Sequence, residues 1–138
     1  MRFFVDACVS TRLVKALKEV ASGQRYAIVA LEDKFEPDTP DPTWLRVLGR
    51  EGGWTIVSGD PRISRSPAEQ AAWAEAGLTI FFLGDEFSSC NPWVQAARLF
   101  QAWPNIVSAA RDEPAGTAHM VSRKGALRRI DIPQRRNR

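Results

Sequence analysis

The sequence predicts a three-layer α/β/α fold with a mostly parallel central sheet, and three observations carry that expectation. Short apolar runs alternate with amphipathic stretches through residue 103, the pattern of a parallel sheet covered by helices. The runs "RFFV", "YAIVAL", "WTIVS" and "LTIFFL" are apolar at successive positions, as strands buried on both faces must be. The chain has 138 residues, 44% hydrophobic and 25% charged, which suits a single domain over 1–138 with one core.

Each element has its own reason. Residues 2–6 are too short for a helix and rich in aromatic and β-branched side chains, so they read as a strand. Ser10 is a cap for a helix whose Leu13, Val14, Leu17, Val20 and Ala21 share one face, and Gly23 stops it. Residues 26–31 form a second strand. Residues 32–42 read as a polar, proline-rich loop with five carboxylates. Asp41 is placed as an N-cap with Pro42 first in the next helix, whose Trp44, Leu45 and Leu48 are apolar and which ends at Gly52 and Gly53.

Residues 54–60 form a third strand that finishes on Asp60. "SPAE" (66–69) reads as a capping box, with Ser66 the cap and Glu69 reaching back. That helix stops at Gly77, and residues 78–84 form a fourth buried strand. Asn91 and Pro92 open a further helix, which Pro104 is expected to break or end. "TAHMVS" and "ALRRIDI", joined through Arg123, Lys124 and Gly125, suggest a C-terminal β-hairpin.

Bulk properties exclude several classes. No apolar run reaches the ~20 residues that span a bilayer, and the N-terminus lacks a signal-peptide pattern, so a cytoplasmic protein without membrane contact is expected. Two cysteines are too few and too far apart for a disulfide framework or a zinc site. One histidine, His119, leaves little for a Ser–His–Asp triad, and no Walker-type loop is present. The tryptophans on helices, Trp44, Trp73, Trp93 and Trp103, are read as core or partner-facing residues. The net charge of +3 is unevenly spread. Residues 1–100 hold 11 Lys/Arg against 13 Asp/Glu, whereas residues 122–138 hold seven Lys/Arg against one Asp. That basic C-terminal segment is either a solvated tail or a nucleic-acid contact.

Three carboxylates stand out. Asp6 ends the first strand, Asp60 the third, and Asp41 opens the helix between them. In a parallel sheet all three fall on the carboxyl rim, where ligands bind. Two carboxylates about 4 Å apart repel by about 4 kcal/mol at an effective dielectric of 20, so such a cluster calls for a cation. Hard oxygen ligands suit Mg²⁺ or Mn²⁺, ions that support phosphodiester cleavage.

The stretches "MRFFVDACVSTRLVKAL", "KFEPDTPDPTWLRVLGREGGWTIVSGDPRI" and "GLTIFFLG" resemble the PIN-like domains related to VapC-type toxin ribonucleases, over roughly residues 1–103. The resemblance implies a parallel α/β sheet and an acidic site for Mg²⁺ or Mn²⁺. It further implies metal-dependent endoribonuclease activity, usually as the toxin of a type II toxin–antitoxin pair. Asp6, Asp41 and Asp60 match the family's catalytic and metal-holding acids, and Ser58 the hydroxyl of its Ser/Thr-x-Asp turn. Ser58, Arg62 and Arg12 are placed as substrate-binding residues, the two arginines on phosphate. Ala7, Cys8 and Arg62 occupy positions that are often polar or acidic in relatives, so a fourth acid is sought at Asp85 or Glu86. RNA and a cognate antitoxin protein are the implied partners, and a homodimer is compatible with the chain. The alternative is a catalytically weak PIN-like module that binds RNA or protein. A phosphoacceptor receiver domain fits poorly: Asp6 lacks a neighbouring acid, and residues 35–123 contain no lysine.

Overall fold

The computed structural model describes residues 1–59, 67–84 and 86–131. Six strands form one sheet: β1 (Arg2–Val5), β2 (Ala27–Ala30), β3 (Trp54–Ser58), β4 (Thr79–Phe82), β5 (Ala118–Val121) and β6 (Leu127–Ile130), in the order β2-β1-β3-β4-β5-β6. The first five are mutually parallel, and β6 returns antiparallel to β5, which gives the expected hairpin. Five helices join them: α1 (Thr11–Val20), α2 (Leu31–Lys34), α3 (Asp41–Glu51), α4 (Pro67–Ala76) and α5 (Pro92–Asp112).

Strand alternation sorts the core into two layers. Phe3, Val5, Val57, Phe81 and Leu83 point to one face, where they meet Val9, Leu13, Val14 and Leu17 of the α1 segment and Leu99, Trp103 and Ile106 of α5. Phe4, Ile56, Ile80 and Phe82 point to the other face, under Leu31, Trp44, Leu45, Leu48 and Trp73 from α2, α3 and α4. Phe4 is fully buried beside Trp44, with ring centroids 4.9 Å apart. Burying such a side chain stabilises by about 1.5–3 kcal/mol.

Three local expectations need correction. Pro104 does not end the last helix: α5 runs through it to Asp112. An interior proline costs about 3 kcal/mol. Here Pro104 is exposed, while Leu99, Ala102, Trp103, Ile106 and Val107 of the same helix are buried. The Trp103 indole also donates to the Tyr26 hydroxyl at 2.9 Å. The buried side of the helix outweighs the proline on its solvent side. The polar segment 32–42 is not all loop, because α2 forms at its start, and the Asp33 carboxylate accepts from the Ala30 amide at 3.0 Å. The cap of α3 is Pro40 rather than Asp41: the amides of Thr43 and Trp44 donate to the Pro40 carbonyl, which leaves Asp41 as the first helical residue.

The hairpin is docked by its turn. Gly125 has φ +82°, and a Cβ there would lie 3.1 Å from the Cα of Ala102. The Asn105 side chain donates to the Gly125 carbonyl at 3.0 Å, holding the turn on α5.

Candidate active site at the carboxyl end of the sheet

From β1 the chain crosses to β2 on one side and returns to β3 on the other. The carboxyl ends of β1 and β3 therefore flank the point where strand order reverses, the usual place for a ligand in an open α/β sheet. Asp6 is the first residue past β1. Its amide donates to the Val57 carbonyl at 3.1 Å, and its own carbonyl accepts from Val9 at 3.2 Å as the chain turns into α1.

The Asp6 side chain is only 3% exposed. One carboxylate oxygen accepts from the amides of Cys8 at 3.1 Å and Gly59 at 3.2 Å. The other accepts from the Ser58 hydroxyl. Gly59 is required by the close approach behind this bond set: a Cβ there would lie 3.0 Å from the Cys8 Cβ. Burial pushes the Asp6 pKa up to about 7 from 3.8. The Ser58 and Gly59 hydrogen bonds oppose that rise, the charge of Asp41 adds to it, and the Cys8 amide opposes it again.

Asp41 reaches the same rim because α3 starts there. Trp44, one turn further on and fully buried, donates its indole N–H to Asp41 Oδ1 at 3.1 Å. Asp6 and Asp41 line one cleft of about 330 Å³, with Ala7, Cys8, Leu31, residues 37–42 and Glu69 completing its wall. Glu69 arrives from the first turn of α4, a helix that leaves the same rim.

The sequence expectations fare differently. Asp6 and Asp41 are brought together. Asp60, Arg62 and Asp85 lie outside the described residues, as does Ser66 of the expected capping box. Ser58 is completely buried, with its hydroxyl on Asp6. Arg12 is exposed on the first turn of α1, at the same rim but on the opposite face from α3 and α4. Glu86 is directed away, to an ion pair with Arg123. Sequence reasoning missed Glu69 as part of the acidic cleft; its signal was its first-turn place on a helix following the third strand. It also missed Trp44 as the residue that orients Asp41, although the i, i+3 spacing is visible. His119 lies in β5, buried against Thr117 at 2.8 Å and stacked on Phe81. Burial lowers its pKa, and it belongs to the core.

Among the described residues, no group of three or more His, Cys, Asp or Glu is arranged to hold a metal ion. The chemistry of the pair present nevertheless suits a hard cation. A buried carboxylate facing a second one is destabilised in its charged form, and an oxygen-seeking divalent ion relieves both burial and repulsion. A larger cavity, about 940 Å³, lies at the opposite end of the sheet between α1 and α5. No described helix is long and apolar enough to cross a membrane.

A three-layer α/β/α domain with two acids in a cleft at the switch point of its sheet has the architecture of an α/β domain that binds ligands beyond its strand ends. A family model described as PIN like domain matches residues 1–85, and the chain belongs to that family. Neither the curated proteins nor the solved structures returned a match.

Proposed function

We propose that the chain is a Mg²⁺- or Mn²⁺-dependent endoribonuclease that hydrolyses RNA phosphodiester bonds. We further propose that it is the toxin of a type II toxin–antitoxin pair, held inactive in the cytoplasm by a cognate antitoxin. The observation that carries the catalytic reading is the buried Asp6 carboxylate at the β1/β3 switch point, in one cleft with Asp41. The toxin role rests on the resemblance to VapC-type members alone.

Asp6, Asp41 and Asp60 are the residues that would hold the ion. When bound, such an ion lowers the pKa of water and stabilises the leaving oxygen. Ser58 and the amides of Cys8 and Gly59 fix the orientation of Asp6. The Trp44 indole does the same for Asp41. Losing a group that orients a ligand in this way typically costs about 10- to 100-fold in metal affinity or activity. Arg12 and Arg62 are assigned to substrate phosphate, where a guanidinium pairs two oxygens at once.

The test is cleavage of a broad panel of RNAs by antitoxin-free protein, with Mg²⁺, Mn²⁺ or chelator present. Ion-dependent cutting that Asp6→Asn abolishes supports the reading. A second reading, a catalytically weak module that binds RNA or protein, is favoured by Ala7, Cys8 and Arg62 standing where relatives often carry a polar or acidic residue. Metal-independent RNA binding with no cleavage under any condition selects it.

A further inference from the structure

The five tryptophans fall into two groups. Trp44, Trp54, Trp73 and Trp103 are each at most 6% exposed, whereas Trp93 is 85% exposed. Trp93 sits in the first turn of α5, on the carboxyl side of the sheet, immediately after the β4–α5 connection. That connection is firmly tethered. Gln95 donates to the Phe87 carbonyl at 2.9 Å, Arg98 donates to the Leu83 carbonyl at 2.7 Å, and Phe87 itself is fully buried. The indole is thus carried into solvent, and among the described residues Val94, next in the chain, is the large exposed hydrophobic beside it.

We propose that Trp93 is a stacking platform for an unpaired base of single-stranded RNA, a role that rests on the RNA-directed reading of the acidic cleft. Three observations select this occupant. A ring face with one small apolar neighbour matches a base, and it is far below the roughly 800 Å² per partner of a stable protein interface. The cations on this rim suit a polyanion: Arg12 is exposed on the first turn of α1, and Lys124 is exposed in the β5–β6 turn. That turn is joined to the β4–α5 connection by the Arg123–Glu86 ion pair. Finally, only β3 lies between β1 and β4, so their carboxyl ends are two strand spacings apart, about 10 Å, and the chain leads from β4 towards Trp93 on the rim that carries the carboxylates. Aromatic platforms of this kind bind single strands with little sequence preference, because every base offers a π face. Cleavage specificity would then be set near the carboxylates rather than at Trp93.

The experiment uses an unstructured mixed-sequence oligoribonucleotide and the full chain in an Asp6→Asn background, so that bound RNA survives. Affinity is measured for Trp93, Trp93→Phe and Trp93→Ala, together with the tryptophan emission of the Trp93 protein. Loss of one stacked base should weaken binding by about 5- to 150-fold in Trp93→Ala, with most of the loss restored by Trp93→Phe. RNA should quench the red-shifted, acrylamide-accessible emission that only Trp93 supplies. Unchanged affinity in Trp93→Ala overturns the platform and leaves the nuclease reading standing. Self-association that Trp93→Ala abolishes, with RNA affinity unchanged, overturns it in favour of a protein contact. A parent protein that binds no RNA overturns both readings together. Because Trp93 is so exposed, equal melting temperatures for the three proteins are expected, and they separate lost stacking from lost folding.

Discussion

The two ends of the sheet differ in the way that matters for function. The amino end carries the larger cavity, about 940 Å³, walled by Leu17, Val20, Phe100, Trp103 and Val107 with Arg25 and Arg111 at its edge. The carboxyl end carries a cleft about a third that size, and its wall is acidic. Size alone selects the first and chemistry the second. At the amino end the side chains are doing what their types ordinarily do. At the carboxyl end a carboxylate is held at 3% exposure beside another carboxylate, an arrangement that destabilises the folded chain and that a packing role does not explain.

The sharpest way to break this contrast is to neutralise Asp6. Asp6→Asn keeps the shape and the two amide bonds, reverses the Ser58 bond so that the new amide donates to the hydroxyl, and removes the charge. RNA cleavage should fall by more than about 100-fold, beyond the 10- to 100-fold typical of groups one step removed from a metal. In metal-free buffer at pH 8 the variant should also be more stable than the wild type by about 1–3 kcal/mol, since it no longer buries a charge. Equal cleavage by both proteins would move the active site elsewhere. Ser58→Ala is the next step down. It leaves the carboxylate and removes one orienting donor, so cleavage should drop by about 10- to 100-fold. The Asp6 pKa should rise further, because the lost bond favoured the charged form. A carboxyl titration followed by NMR reads that shift directly.

The same group fixes the pH dependence of stability. Between the unfolded value of 3.8 and the folded value of about 7, the folded chain retains a proton that the unfolded chain has released. Stability contributed by Asp6 is therefore lost as pH rises through that window, and it levels off above about 7. Denaturant unfolding at pH 4 and pH 8 without metal should show a wild-type decline that exceeds that of Asp6→Asn by up to about 4 kcal/mol. Parallel curves would mean that Asp6 titrates normally. The smallest effect is expected at the amino end. Val20 is 71% exposed, and Val20→Glu should leave cleavage within about twofold and stability within about 0.5 kcal/mol. A large loss of cleavage there would make the bigger cavity part of the working surface.

Much of this arrangement was legible in the sequence. Strands buried on both faces announce themselves as continuous apolar runs, so the parallel sheet and the rim positions of Asp6 and Asp41 followed from local pattern. The Asn91-Pro92 start of α5 was equally plain, because the Asn91 side chain accepts from Val94 just as a cap should. What local pattern could not supply was the outcome of competition between distant groups. Pro104 is a helix breaker on its own, and only the packing of Trp103 and Ile106 against the sheet carries α5 past it. Glu69 has the spacing of a capping residue, and only the juxtaposition of α4 with α3 sets it on the wall beside Asp6. The tryptophans look alike on helical periodicity, yet one of them stands in solvent, because Trp93 falls in the first turn of α5 before that helix meets the sheet.

The role proposed for Asp6 and Asp41, at the β1/β3 switch point, is to hold a divalent cation. Calorimetric titration of Mn²⁺ into the wild type and Asp6→Asn at pH 8 tests it most directly. Binding to the wild type, accompanied by proton release when the titration is repeated near pH 7 and weakened by more than about tenfold in Asp6→Asn, is the predicted result. Equal Mn²⁺ affinity in the two proteins, or none in the wild type, would contradict it.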